Sequence, residues 1–135
     1  MLTGVNHITL SVKDLEESFN FYVNILGFKP IAKWDRGIYL TVGVTWIALF
    51  LDKNIRKEAL PEYTHIAFSI EPENFELLAK KIQDNAVIFQ ENTSEGDSLY
   101  FIDPNGHKLE IHSSDLNSRI KSVKEKPYKG MIFFD

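Results

Sequence analysis

Cysteine is absent from the 135 residues, which excludes disulfides, zinc–thiolate centres and a cysteine nucleophile. An excess of positive charge is absent too. With 15 Lys+Arg against 19 Asp+Glu the net charge is −4, which argues against a dedicated nucleic-acid binder. No apolar run approaches the roughly 18–20 residues that span a membrane. Met1-Leu2-Thr3-Gly4 lacks the charged and apolar regions of a signal peptide, so a cytoplasmic location is expected. Low-complexity segments are missing as well. What remains is ordinary globular composition, 44% hydrophobic, 13% aromatic and 25% charged. A chain of this length suits one domain, 1–135, burying about 65–70% of its unfolded surface.

Self-similarity organises that domain. Asn6-His7-Ile8-Thr9-Leu10-Ser11-Val12 matches Thr64-His65-Ile66-Ala67-Phe68-Ser69-Ile70. Both runs alternate apolar and polar residues and are rich in β-branched or aromatic types, so each predicts a half-buried strand. A helix follows each. In the first, Asp14 caps with Glu17 three residues on, and Leu15, Phe19, Tyr22 and Leu26 give the apolar stripe up to Gly27. In the second, Pro72 opens the helix and Phe75, Leu78, Ala79 and Ile82 form the stripe. Strands are expected over 37–42 and 46–51 in the first repeat, and over 87–90, 98–102 and 108–112 in the second. Asp103-Pro104-Asn105-Gly106 is a turn. The unit is βαβββ, present twice, as repeat one (4–51) and repeat two (63–113). A short helix (115–123) and a lysine-rich tail complete 114–135.

Period-two arithmetic sorts the strands into faces. Ile8, Leu10 and Val12 oppose His7, Thr9 and Ser11, and the apolar set should meet the helices. The same count predicts a curved sheet whose other face is a cup lined by His7, Thr9, Tyr39, Trp46, His65, Ser98, Tyr100 and Glu110. His7 and His65 hold equivalent positions, while the equivalent of Glu110 in repeat one is near Ala48, which binds no metal. A lone histidine is usually an ordinary hydrogen-bonded residue. Two at equivalent positions, facing a strand carboxylate, instead point to Mn²⁺, Fe²⁺, Ni²⁺ or Zn²⁺ with positions open for substrate.

Other features are weaker alone. Ser94-Glu95-Gly96-Asp97-Ser98 is either a surface turn or an oxygen-rich wrap for a cation. Arg119 is either a surface residue or a planar fork for a phosphate or phosphonate. Tyr100 and Trp46 are by default core aromatics. His112, on the face of Glu110, suits a supporting partner of that carboxylate. His107, after the turn, is given only a local structural role.

Together these residues resemble the vicinal oxygen chelate superfamily, and within it FosA-type fosfomycin-resistance thiol transferases over nearly the whole chain. The matching runs are Gly4-Val5-Asn6-His7-Ile8-Thr9-Leu10, Trp34-Asp35, Tyr63-Thr64-His65, 94–98, 100–110 and Pro127-Tyr128-Lys129-Gly130-Met131. The resemblance implies an α+β fold of paired βαβββ units, a curved mixed sheet forming a cup, in a domain-swapped homodimer. It implies a Mn²⁺ enzyme that adds glutathione to the epoxide of fosfomycin with help from K⁺. His7, His65 and Glu110 would hold the metal, with His7 of one chain completing the site of the other. Thr9, Ser94, Ser98, Tyr100 and Arg119 would hold the phosphonate, and Asn92, Ser94, Gly96 and Ser98 the K⁺. Tyr39 would help the thiol ionise, Trp34 would line its channel, and Trp46 and Gln90 would line the cup. Family members usually carry lysine at the position of Gln90, arginine or lysine at Thr93, and a small polar residue at Phe50. The alternatives are a related epoxide hydrolase, a transferase using another thiol, or a metal-free drug-binding module. Intact His7, His65 and Glu110 weigh against the last.

Overall fold

The computed structural model describes residues 1–134; Asp135, the end of the predicted tail, lies outside the described residues. Repeat one opens with β1 (His7–Val12) and α1 (Leu15–Phe19), then β2 (Lys29–Trp34), β3 (Gly37–Val42) and β4 (Thr45–Leu51). Repeat two follows as β5 (Ile66–Ser69), α2 (Pro72–Gln83), β6 (Val87–Gln90), β7 (Ser98–Ile102) and β8 (Lys108–His112). The terminal helix α3 spans Leu116–Glu125, one residue after its predicted start, because Asp115 is the cap.

Each repeat makes its own four-stranded sheet with one order, β1-β4-β3-β2 and β5-β8-β7-β6. The opening strand runs parallel to the closing one and the other pairings are antiparallel. The registers confirm the predicted equivalences. Thr9 and Tyr39 flank Ala48 in the first sheet, as Ala67 and Tyr100 flank Glu110 in the second. The fold is the α+β arrangement of paired βαβββ units that the repeat implies.

Two local features differ from the expectations. β2 is exposed along its whole length, so no apolar alternation betrays it. Lys29, Pro30 and Lys33, with a bulge between Pro30 and Ala32, suit an edge strand that must resist further pairing. The first helix also does not continue as one α-helical stripe. After Phe19 it widens into a π-helical segment, Asn20–Ile25, with Leu26 N–H bonded back to Phe21 O at 3.0 Å. The extra residue per turn lets neighbouring Phe21 and Tyr22 both point inward, while Phe19 and Leu26 stay only partly buried. In α2 the predicted stripe holds: Phe75, Ala79 and Ile82 are buried.

One apolar core joins the repeats, from Leu10, Val12, Phe28 and Leu49 to Phe68, Phe101, Leu109 and Ile111. Phe28 meets Phe68 edge-on at 5.1 Å. A buried polar clasp reinforces it from the turn before β8. Tyr22 O–H donates to Asp103 Oδ2 at 2.6 Å, Asn105 Nδ2 to Ser18 Oγ at 3.1 Å, and Lys13 N–H to Asn105 Oδ1 at 2.9 Å. His107, given only a local role from sequence, reaches across to Ser11 O at 2.8 Å. Gly106 (φ +83°) closes the turn against the chain, where a Cβ would lie 2.7 Å from Glu58 O.

Burial, then the charge of Asp103 and the bond to it, raise the Tyr22 pKa well above its usual value. The unfolded tyrosine ionises near 10, so this contribution to stability is complete below that pH and is lost as pH rises above it. Between pH 9 and 11 the wild-type urea midpoint should therefore fall faster than that of Tyr22→Phe. This group alone contributes a slope of about 1.4 kcal/mol per pH unit above its unfolded pKa. Parallel curves for the two proteins would remove Tyr22 from the clasp.

Candidate metal and anion site

The second sheet carries most of the chemistry. Glu110 lies mid-strand on β8, 6% exposed, with its side chain on the face opposite the apolar Leu109 and Ile111. His65 immediately precedes β5 and packs against the Tyr63 ring at 4.7 Å. Its Nδ1 lies 2.8 Å from Tyr63 O, and because a carbonyl only accepts, Nδ1 carries the proton. Nε2 is then the free nitrogen, and it faces Glu110 Oε1 at 3.0 Å. A neutral imidazole nitrogen and a carboxylate oxygen both present lone pairs there, so a proton or a cation has to lie between them. This donor set, nitrogen and hard oxygen fixed from behind, fits a first-row divalent metal.

Beside this pair lies a polar cluster built around Arg119. Asp115 caps α3 by accepting from Ser118 N–H at 2.8 Å, and the backbone and side-chain bonds from Ser118 lower its pKa. The cap fixes the first turn of the helix that carries Arg119. Arg119 Nη2 donates to Ser94 Oγ at 3.1 Å, and its Nε approaches Glu95 Oε1 at 3.5 Å. Asn92 ties the 92–98 loop by donating to Gly96 O at 2.7 Å. Tyr100 is buried on β7, and desolvation followed by the charge of Glu110 raises its pKa. Its phenol therefore remains a proton donor at neutral pH. Gln90 Nε2 donates to the Tyr63 hydroxyl at 2.9 Å, at the edge of the same face.

The first sheet carries an aromatic face. The His7 ring stacks on Trp46 at 4.2 Å, Trp46 meets Tyr39 at 5.1 Å, Tyr39 meets Trp34 at 4.8 Å, and Trp34 meets Phe50 at 5.6 Å. His7 and Thr9 are exposed on this face, and the buried Trp46 indole N–H has no hydrogen-bond partner. Within one chain, then, His65, Glu110, Ser98, Tyr100, Ser94, Asn92, Gly96, Gln90 and Arg119 belong to one half. His7, Thr9, Trp34, Tyr39 and Trp46 belong to the other. Among the described residues no three His, Cys, Asp or Glu side chains converge as a metal site.

Two contributors went unassigned from sequence. Glu95 anchors Arg119 and accepts from Ser114 Oγ at 2.9 Å, and its place inside the oxygen-rich 94–98 run was the available signal. Tyr63 precedes its strand and orients His65 through a backbone carbonyl, for which residue type gives no signal.

The sequence profile of the Glyoxalase/Bleomycin resistance protein/Dioxygenase superfamily matches residues 4–111, most of the chain. The protein belongs to this superfamily. Within it the chain is 44% identical to "Glutathione transferase FosA" of Serratia marcescens, over 98% of this chain and 96% of that one. It is 40% identical to "Metallothiol transferase FosB" of Staphylococcus saprophyticus, covering 100% and 93% respectively. Among solved structures similar to this chain is a mutant of FosX, a fosfomycin resistance protein of Listeria monocytogenes, complexed with Mn(II) and 1S,2S-dihydroxypropylphosphonic acid. It superposes with a TM-score of 0.78 at 28% identity, covering 90% of this chain and 99% of that one. FosX of Mesorhizobium loti gives 0.74 at 28% identity, covering 89% and 99%.

Proposed function

We propose that this protein is a metal-dependent thiol transferase that opens the epoxide of fosfomycin with glutathione and so confers resistance to it. The observation that carries the reading is the facing pair His65 Nε2 and Glu110 Oε1, adjoining the Ser94–Tyr100–Arg119 cluster. The 44% identity to a glutathione transferase over nearly the whole chain supports it. His65 and Glu110 would hold Mn²⁺ together with His7 of the partner subunit, in a domain-swapped homodimer that sets the aromatic face of one chain over the polar face of the other. Oxygens of Asn92, Ser94, Gly96 and Ser98 would hold K⁺.

A divalent cation bound there would supply Lewis-acid polarisation of the epoxide oxygen. The Arg119 guanidinium, the Tyr100 hydroxyl, Ser94 and Thr9 would bind the phosphonate and fix its orientation. The Tyr39 O–H would donate a hydrogen bond to the sulphur of the entering thiol and so favour its ionisation, while Trp34 and Trp46 would exclude water. The thiolate sulphur attacks the less hindered epoxide carbon, the C–O bond breaks, and the released oxygen takes up a proton. No protein nucleophile is needed, in accord with a chain that has no cysteine. A cytoplasmic location suits a donor that must be kept reduced.

The test is consumption of fosfomycin, followed by ³¹P NMR with Mn²⁺, with and without glutathione. The expected result is a thiol adduct formed only when glutathione is present. Saturation by glutathione should be weak, since Thr93 brings no charge to its approach, and Gln90, which brings none to the phosphonate, should lower kcat/KM for fosfomycin. A diol formed without thiol would make the protein a hydrolase. Turnover with another low-molecular-weight thiol alone would move the donor and leave the reaction class standing.

A further inference from the structure

The two oxygens of Glu110 have different neighbours. Oε1 faces His65 Nε2 at 3.0 Å, whereas Oε2 lies 2.7 Å from Ser98 Oγ, which is itself 2.6 Å from His112 Nδ1. A serine hydroxyl has one proton and a carboxylate oxygen only accepts, so that proton points at Glu110. The other contact then runs the opposite way, with His112 Nδ1–H donating to Ser98 Oγ. His112 thereby sets the direction of the hydroxyl, and the hydroxyl engages one carboxylate oxygen while leaving the other toward His65. The far side of the ring faces Glu95. His112 Nε2 lies 3.7 Å from Glu95 Oε1, beyond hydrogen-bond reach, while Glu95 Oε2 accepts from Ser114 Oγ at 2.9 Å. The 92–98 loop closes over the ring at Gly96 (φ +79°), where a Cβ would come within 3.0 Å of His112 Cε1 and 2.7 Å of Ser114 Cβ. One imidazole thus touches both the loop of the Arg119 cluster and the support of the carboxylate.

We propose that His112 is a positioning residue which, through Ser98, presents Glu110 as a one-oxygen ligand to the divalent cation. The proposal rests on the metal-binding reading of His65 and Glu110 and goes beyond it by naming what orients that carboxylate. Its test is Mn²⁺ binding to the full-length protein, read from the EPR signal of free Mn²⁺ without substrate. The variants are His112→Gln, His112→Asn, Ser98→Ala and the Ser98→Ala/His112→Gln double. An asparagine amide nitrogen can take the place of Nδ1, whereas a glutamine amide reaches the Nε2 position. Groups that hold a metal ligand from behind change affinity about ten- to a hundred-fold. His112→Gln should weaken Mn²⁺ binding by that factor, while His112→Asn stays within about three-fold of wild type. Ser98→Ala should match His112→Gln, and the double variant should be no weaker than either single one. Wild-type affinity in His112→Gln, equal losses in the Gln and Asn variants, or additive losses in the double would each overturn the assignment. A wild-type protein that binds no Mn²⁺ overturns both this assignment and the metal-binding reading, and that first titration tells the two failures apart.

Discussion

Glu110→Ala should abolish tight Mn²⁺ binding and lower fosfomycin turnover by well over about a hundred-fold. That factor is the upper range for losing a group that merely supports a ligand, and Glu110 is assigned as a ligand itself. Among the described residues no neighbour is placed to replace it. The equivalent position in the first sheet is Ala48, and the other carboxylate near this face, Glu95, is engaged with Arg119 and Ser114. The variant should fold, because removing a buried carboxylate along with its unfavourable approach to His65 Nε2 leaves the apolar face of β8 intact. Calorimetric titration with Mn²⁺, alongside a melting curve of the metal-free protein, separates loss of ligand from loss of fold. Near-wild-type affinity would show that the metal is held elsewhere.

Asp103→Ala should be the most damaging substitution for stability. Its carboxylate is 4% exposed and accepts from Tyr22 O–H at 2.6 Å, Asn105 N–H at 2.8 Å and His107 N–H at 2.9 Å. Alanine leaves the buried Tyr22 hydroxyl, the buried Asn105 amide and the partly buried His107 amide without partners. Each fully buried group costs about 1–3 kcal/mol, and since the His107 amide keeps access to water the low end of their sum, about 3–5 kcal/mol, is expected. For a domain of this size that lowers the melting temperature by about 10–20 °C. Asp103→Asn keeps an acceptor for the turn amides and should fall between. A melt within about 2 °C of wild type for the alanine variant would show that the apolar core alone joins the halves.

Much of this architecture was legible because it is repeated. The likeness of 6–12 to 64–70 gave the βαβββ unit, and alternation put His7, Thr9 and Glu110 on faces opposite the buried Leu10, Val12 and Leu109. β2 was not legible because an edge strand exposed on both faces has no apolar period to read. The π-helical segment was hidden for a related reason: burying neighbouring Phe21 and Tyr22 breaks the 3.6-residue rule on which a stripe is recognised. The site divides the same way. Glu110, Ser98 and Tyr100 follow from strand register and His65 from its repeat match to His7, while Glu95 and Tyr63 act from loops, where sequence spacing does not fix direction. The clasp of Asp103, Asn105 and His107 joins residues more than 80 positions apart to repeat one, and no local pattern reports such contacts.

The central claim is that two half-sites, lying on separate sheets of one chain, make one working centre when two chains meet. It is tested by unfolding and refolding inactive His7→Ala and Glu110→Ala proteins together. In a swapped dimer each mixed pair holds one centre with every ligand intact. Random reassortment makes half the dimers mixed, so about a quarter of wild-type fosfomycin turnover should return. If each centre is built from a single chain, every site keeps one defect and the mixture stays as inactive as its parts.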